Sequence, residues 1–230
     1  MAWNYDSTKA LLRNNKLTRG PYLWLAGLSH SARFLFYKMK YGRAFPPSYF
    51  NDLFAEGADP WRYEGDSVSE TRKSLILDLL PESPVSQMLE IGCASGWITQ
   101  HLSRRAKRVT AVDCSSVALS LAKERCSGCS NVEFAALDLL TDGLEGSFDV
   151  VVCAGVLNFF PRSAQAAIRD KIVGSIKPGG QLLLEHLRAR APGYEVTGEE
   201  LHALYAGHPW LVALDRKAED AYEIILLRRE

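Results

Sequence analysis

The sequence predicts an α/β protein with a doubly wound sheet of seven strands, and three observations support that prediction. From Met88 onward, short apolar segments alternate with amphipathic ones, which is typical of a parallel sheet covered by helices on both faces. The first apolar segment leads into a glycine turn, Glu90-Ile-Gly92-Cys-Ala-Ser-Gly96. The chain ends in two apolar segments joined by a charged turn, which predicts an antiparallel hairpin and therefore a mixed sheet.

The individual elements follow in order along the chain. Before residue 82 the sequence is aromatic and basic, and a helix is predicted over 68–80. The predicted strands cover 88–91, 109–112, 132–135, 149–154 and 181–186, with the hairpin at 211–214 and 222–227. The predicted helices cover 96–105, 115–125 and 164–176, and a short helix opens at the capping box Thr197-Gly-Glu-Glu200. The turn between the third of these helices and the fifth strand is Lys177-Pro-Gly-Gly180.

The sequence before residue 82 is aromatic and basic, whereas the later sequence alternates apolar and amphipathic segments. This difference predicts two parts, an N-terminal helical extension, 1–81, and a sheet domain, 82–230. In open α/β sheets, ligands bind at the carboxyl ends of the strands. Elements that precede the first strand commonly roof that cleft, so we predict that the extension acts as a lid.

Composition is that of a globular protein, with 47% hydrophobic and 23% charged residues in 230. Residues 1–45 contain eight basic residues and one acidic residue, so they carry a net +7 and the remainder carries −7. This asymmetry indicates either an anionic surface partner or an arm folded onto its own acidic body. The most apolar early stretch, 21–37, is too short to span a bilayer and could instead form an interfacial helix.

The five cysteines give no complete zinc motif, because Cys126-Ser-Gly-Cys129 has no second pair and no histidine nearby. We expect no metal site. The odd cysteine count, without a signal peptide, predicts free thiols and a cytoplasmic protein.

The glycine turn does not fit a dinucleotide or a nucleoside triphosphate. Gly92 and Gly96 are separated by three residues, and Glu90 would repel a pyrophosphate but attract a cation. The Gly-Lys-Ser/Thr ending of a P-loop is missing. Asp113 after the second strand suits ribose hydroxyls, and Asp138 after the third suits an adenine amine. The pattern therefore predicts a pocket for an adenosine with a positively charged tail.

These motifs, together with "FDVVVCAGVLNFF" and "IKPGGQLLLE", resemble class I S-adenosylmethionine-dependent methyltransferases over residues 88–184. The resemblance implies a Rossmann-like fold with S-adenosylmethionine as cofactor and S-adenosylhomocysteine as product. It implies that the glycines contact the methionine part, Asp113 the ribose, and Asp138 with Leu139 the adenine. The expected cofactor-binding residues are Trp61, Arg72, Glu90, Gly92, Cys93, Ala94, Gly96, Asp113, Cys114, Asp138, Leu139, Cys153 and Gly155.

A narrower resemblance covers residues 49–81, which look like the leader of NodS-like methyltransferases. The matching features are Asp59-Pro60-Trp61 and Arg72. Those enzymes N-methylate deacetylated amino-sugar oligomers, and their leader closes over the cofactor. The resemblance implies that Trp61 and Arg72 contact the cofactor, with Arg72 pairing the methionine carboxylate.

Three residues are candidates for catalysis. Glu185 and His186 end the fifth strand, where either could take a proton from the acceptor. In the alternative reading, His186 caps a loop and Glu185 pairs with an arginine such as Arg188. Asn158 either orients the acceptor or serves as a turn residue. Cys93 and Cys153 are read as packing residues, not nucleophiles.

The predicted partner is a small-molecule acceptor, with an amino sugar favoured because a neutral amine needs only a modest base. Nucleic acid is disfavoured, since Cys153-Ala-Gly-Val156 stands where amino-methyltransferases of nucleic acids carry Asp/Asn-Pro-Pro-Tyr/Phe. The alternatives are an O- or N-methyltransferase of a lipid-linked or natural-product acceptor, with residues 1–45 touching a membrane, and a non-catalytic cofactor-binding domain. An NAD-dependent dehydrogenase is a more distant alternative. The oligomeric state is not predicted.

Overall fold

The computed structural model describes residues 30–41, 45–188 and 194–230. The predicted membrane contact of residues 1–45 falls largely outside these ranges. None of the helices described combines the length and the apolar character needed to cross a membrane.

Seven strands form one mixed sheet in the order β3-β2-β1-β4-β5-β7-β6. Strands β1 to β5 pair in parallel, and β7 runs antiparallel to both β5 and β6. This architecture confirms the predicted fold class, including the terminal hairpin. The strands are β1 Val85–Ile91, β2 Ala106–Asp113, β3 Val132–Ala136, β4 Phe148–Ala154, β5 Ile176–Leu187, β6 Leu211–Ala218 and β7 Tyr222–Arg229.

Helices precede the sheet and cover both of its faces. Those ahead of β1 are α1 His30–Tyr41, α2 Pro47–Glu56 and α3 Ser67–Leu79. The helices that follow β1, β2, β4 and β5 are, in that order, α4 Thr99–Leu102, α5 Ser116–Arg125, α6 Gln165–Ser175 and α7 Gly198–Ala206. Short 3₁₀ turns, Leu157–Phe159 and Arg162–Ala164, connect β4 to α6.

Successive side chains along each strand point to opposite faces of the sheet, so they pack into two separate hydrophobic cores. On one face, Leu182 and Leu184 of β5 pack with Ile172 of α6 and Tyr205 of α7. On the other face, Leu183 packs with residues that include Ile76 of α3. Because both faces are covered, the central strands are apolar almost throughout, as expected for a parallel sheet.

Two predicted elements differ in detail from the structure. The helix predicted over 96–105 is reduced to α4. At its start, Gly96 has a φ of +80°, which is not helical. At its end, the backbone N–H groups of Arg104 and Arg105 bond to carbonyls three residues earlier, so the chain forms tight turns instead of further α-helix. The turn predicted at Lys177–Gly180 lies within β5 as a bulge, since the pair Phe148–Ile176 is followed by Val150–Gln181. The capping box at α7 is confirmed, with Thr197 and Glu200 bonded reciprocally.

All five cysteines are free thiols. Within the described ranges, no group of three or more His, Cys, Asp or Glu side chains is placed to hold a metal ion.

Candidate active site

The two glycines of the turn after β1 are required for different reasons. Gly92 has a φ of +75°, and a Cβ there would lie 2.3 Å from Cγ2 of Val156. Gly96 has a φ of +80°, and a Cβ there would lie 3.1 Å from Cα of Ala122 in α5. Gly92 therefore keeps the turn open towards the end of β4, whereas Gly96 lets α5 pack closely against the turn.

The carboxylate of Asp113 organises this turn from the end of β2. It accepts hydrogen bonds from the backbone N–H of Ala94 and from that of Ser115, each at 2.9 Å. Burial raises the pKa of Asp113, and the backbone N–H donors oppose that rise because they favour the charged form.

A cavity opens at the carboxyl ends of β1, β2 and β4, where a parallel sheet binds its ligands. Eight of the predicted cofactor-binding residues line it together: Trp61, Gly92, Ala94, Asp113, Cys114, Asp138, Leu139 and Gly155. The structure thus brings the glycine turn, both predicted nucleoside carboxylates and the end of β4 into one space.

Five other predicted cofactor-binding residues do not line this cavity, namely Arg72, Glu90, Cys93, Gly96 and Cys153. Cys93 and Cys153 are buried in the apolar core, as expected of packing residues.

Glu90 is buried beneath the glycine turn. Its carboxyl group accepts a hydrogen bond from Oγ1 of Thr99 at 2.6 Å, and only 4% of the residue is exposed. Burial raises the pKa of Glu90 to about 8, although the Thr99 hydrogen bond opposes the rise. A cation bound nearby would favour the ionised form.

Helix α2 forms the roof of the cavity and is held to α5 by Asn51. Its Oδ1 accepts a hydrogen bond from Oγ of Ser115 at 2.8 Å. Phe50 and Phe54 of α2 line the cavity, and Phe50 meets the ring of Phe159 edge-on at 5.0 Å between centroids.

The Asp59-Pro60-Trp61 element is a tight turn that presents Trp61 to the cavity. Asp59 accepts hydrogen bonds from the backbone N–H of Tyr63 and of Glu64, each at 2.9 Å. Trp61 stacks on Tyr63 at 5.9 Å between centroids, and both rings line the cavity. This stacking fixes the position of Trp61 over the end of the sheet.

Arg72 and Glu185 form a buried ion pair beside Gly155. The Nη2 of Arg72 donates to Oε2 of Glu185 at 2.6 Å. A Cβ on Gly155, which lines the cavity, would lie 3.1 Å from that Nη2 and 3.8 Å from that Oε2. The pair therefore lies immediately behind the cavity wall. Burial raises the pKa of Glu185, and Arg72 partly offsets this.

Residues 88–180 match a family model described as "Methyltransferase domain". The chain therefore has the fold of the class I methyltransferases. It is 31% identical over 136 residues to "Nodulation protein S" of Sinorhizobium fredii, covering 57% of this chain and 61% of that protein. The chain thus matches about three fifths of the length of that curated relative.

Solved structures agree with this methyltransferase fold. The crystal structure of "N-methyltransferase NodS from Bradyrhizobium japonicum WM9 in complex with S-adenosyl-l-homocysteine" superimposes with a TM-score of 0.72 at 26% identity, covering 79% of this chain and 97% of that one. A further relative is "Ubiquinone biosynthesis O-methyltransferase, mitochondrial" of Schizosaccharomyces pombe, 30% identical over 139 residues, which cover 54% of this chain and 49% of that protein.

The three predicted catalytic residues of the methyltransferase domain have different surroundings. Glu185 approaches the cavity and pairs with Arg72 instead of the neighbouring Arg188. His186 points to the opposite face of β5, where its Nδ1 lies 3.2 Å from Nε2 of His202. Asn158 is buried, with its side-chain amide 3.5 Å from the carbonyl of Val196. None of the three lines the cavity itself, and all three catalytic roles stay predictions.

Sequence reasoning missed most of the aromatic wall of the methyltransferase cavity. The lining residues it did not assign include Phe45, Phe50, Phe54, Val156, Phe159 and Phe160. One local signal was present, because Phe50 and Phe54 are four residues apart and therefore share a face of a helix. The sequence predicted that the N-terminal extension covers the cleft, but it did not indicate which face of this helix would lie over the carboxyl end of the sheet.

Proposed function

We propose that the chain transfers a methyl group from S-adenosylmethionine to the amine nitrogen of a small acceptor, with an amino sugar as the acceptor class. The observation that carries the proposal is the position of Glu185. Its carboxylate lies directly behind the cavity wall at Gly155, next to a space that is otherwise suited to the cofactor.

The residues present suit S-adenosylmethionine. At Gly92 a side chain would collide with Val156, so the turn leaves room that only glycine provides. Gly92 and Ala94 would contact the methionine part, Asp113 the ribose, and Asp138 with Leu139 the adenine. When bound, the cofactor supplies a methyl group on a sulfonium, which is already activated towards a nucleophile.

Glu185 is proposed to hold the proton that the amine loses. An attacking amine must be neutral, so a nearby group has to accept one proton close to neutral pH. A carboxylate with an ordinary pKa is a weak acceptor there. Burial raises the pKa of Glu185 and makes it a better one.

The aromatic roof is proposed to exclude water from the reacting groups. Phe50, Phe54 and Trp61 cover the cavity from the side of the N-terminal helices, and Phe159, in the turn after β4, packs against Phe50. Excluding water strengthens electrostatic interactions within the site and limits solvation of the acceptor amine. This role agrees with the lid predicted for residues 1–81, and the division at residue 81 stays a proposal.

Release of S-adenosylhomocysteine tests the function directly. The purified chain is incubated with S-adenosylmethionine and a glucosamine oligomer, and in parallel with the N-acetylated oligomer of the same length. We expect product only with the free amine. Glu185→Gln should lower turnover with the oligomer. If neither oligomer gives S-adenosylhomocysteine, the proposal of an amino-sugar acceptor is contradicted.

An oxygen acceptor is the second candidate. It is favoured by the similarity to the ubiquinone-biosynthesis O-methyltransferase of Schizosaccharomyces pombe. The same assay with catechol in place of the oligomer separates the two candidates. Product from catechol, and none from the glucosamine oligomer, would favour methylation of oxygen.

A further inference from the structure

The ion pair between Arg72 and Glu185 joins the N-terminal helices to the sheet across 113 positions of sequence. Arg72 lies in α3, and Glu185 lies near the end of β5. Their side chains are only 12% and 1% exposed. Charged groups at such depth are retained when their pairing is good, since removing water from both is costly.

The pairing is nevertheless incomplete on the arginine side. A guanidinium has five N–H donors in a planar fork that suits two oxygens at once. Arg72 uses Nη2 for Glu185, whereas its buried Nε has no hydrogen-bond acceptor in the structure. A buried donor without an acceptor is unfavourable, because it has lost water without gaining a hydrogen bond. The fork is therefore able to take a further anionic ligand.

The orientation of Arg72 is fixed by its neighbours at the cavity. The guanidinium lies over the ring of Tyr63, with its central carbon 5.1 Å from the ring centroid. Tyr63 lines the cavity, and so does Gly155, which has no side chain to separate the ion pair from the ligand space. The guanidinium group of Arg72 is thus held close to the cavity.

We propose that Arg72 and Glu185 form an exchangeable ion pair, in which a carboxylate on the cavity ligand draws Arg72 towards itself and leaves Glu185 free for the acceptor. The inference rests on the proposed function, because the carboxylate in question belongs to the methionine part of the cofactor. Arg72 then acts as a positioning residue for Glu185.

The exchange links occupation of the cofactor site to the state of Glu185. While Arg72 is its only partner, the positive charge of Arg72 offsets part of the pKa rise that burial causes in Glu185, so the carboxylate is a weaker proton acceptor than it would be without that charge. When Arg72 is shared with a second carboxylate, less positive charge acts on Glu185, and its pKa rises. Glu185 thereby becomes suited to an acceptor amine only after the cofactor carboxylate is in place.

Competition for Arg72 can be measured without any methyl transfer. Calorimetry compares S-adenosylhomocysteine with its decarboxylated analogue, which keeps the adenosine, the sulfur and the amine. In Glu185→Gln, Arg72 has lost its anionic partner, so the ligand carboxylate should be bound more tightly. We expect S-adenosylhomocysteine to bind about tenfold tighter than to the wild type, a typical coupling between sites. The affinity for the decarboxylated analogue should not change.

Glu223→Gln is the matched control. Glu223 is also a buried carboxylate paired with an arginine, Arg216, but it does not line the cavity. The same chemical change there should leave the affinities for both ligands as in the wild type. If Glu185→Gln weakens S-adenosylhomocysteine, leaves it unchanged, or alters both ligands equally, the exchange is refuted.

A second measurement uses the wild-type protein in case Glu185→Gln does not fold. The Nε–H resonance of Arg72 in the ¹⁵N-labelled protein is assigned by its loss in Arg72→Lys. It should shift on adding S-adenosylhomocysteine and stay nearly in place with the decarboxylated analogue. Equal responses to both ligands would overturn the inference. Because neither measurement involves an acceptor, a failed amine-methylation assay would leave this result standing.

Discussion

The carboxylate of Asp113 holds the backbone N–H of Ala94 at 2.9 Å and so ties the end of β2 to the glycine turn that follows β1. Ala94 has a φ of +51°, a backbone conformation that is unfavourable for a residue other than glycine. Asp113 therefore stabilises a strained turn and also lines the cavity that the turn borders.

Replacing Asp113 by alanine should weaken binding of S-adenosylhomocysteine by about 10- to 100-fold, since hydrogen bonds to a charged group contribute about 1.5–3 kcal/mol. Asp113→Asn should have a smaller effect, because the amide oxygen still accepts one backbone N–H. Calorimetry on both variants checks this. The exposed Asp220→Ala, in the turn between β6 and β7, serves as control and should bind normally. Unchanged affinity in Asp113→Ala would refute the ribose role.

The close approach of Gly92 and Val156 gives a second prediction. Gly92→Ala places a methyl group 2.3 Å from Cγ2 of Val156 at a φ of +75°. We expect a loss of about 2 kcal/mol or more in the free energy of unfolding, because both the clash and the left-handed backbone are unfavourable. The double variant Gly92→Ala/Val156→Ala should recover only part of that loss, since it removes the clash and leaves the backbone strain.

Urea denaturation measures these differences. Gly128→Ala is the control, because a Cβ there meets nothing within 4 Å. Its stability should stay within about 0.5 kcal/mol of the wild type. Full recovery in the double variant would show that strain at Gly92 is unimportant.

Local signals in the sequence predicted the strands, the glycine turn and Asp113. Each depends on residues close together in the chain, such as the alternation of short apolar segments with amphipathic ones. The ion pair of Arg72 with Glu185 and the bond of Asn51 with Ser115 join residues 113 and 64 positions apart. The periodicity of apolar residues along the sequence does not indicate such pairs, because they form only when distant parts of the chain pack together. The shortening of α4 had the same origin, since Gly96 is needed for contact with α5.

The buried Glu90 gives a prediction about pH. Its pKa is about 8 in the folded protein, against an ordinary value near 4.5. Between these values the unfolded chain is ionised while the folded protein keeps the proton, so stability falls as pH rises. Glu90→Gln removes this group, and its amide oxygen can still accept from Thr99.

The stability of Glu90→Gln relative to wild type should therefore increase from pH 5 to pH 8, by up to about 1.4 kcal/mol per pH unit. Urea denaturation at four pH values gives this slope. The exposed Glu133→Gln is the control and should run parallel to the wild type. Parallel curves for Glu90→Gln would mean that Glu90 is ionised in the folded protein.

The histidine pair behind β5 gives a prediction of opposite sign. His202 lies between His186 and Glu223, with its Nδ1 3.0 Å from Oε2 of Glu223. Glu223 is also paired with Arg216. Burial lowers the pKa of both histidines below the ordinary value. When the pH falls below about 6.5, the unfolded chain binds protons that the folded protein resists, so stability is lost.

His202→Gln should reduce that loss, because glutamine does not titrate but can donate to Glu223 and accept from His186. Each unit of pKa difference corresponds to about 1.4 kcal/mol. Urea denaturation at pH 7.5 and pH 5.5 should therefore show a smaller decrease in the free energy of unfolding for His202→Gln than for the wild type. The exposed Lys217→Gln controls for a general change of charge on β6. Equal decreases in wild type and His202→Gln would show that His202 is protonated as readily in the folded protein as in the unfolded chain.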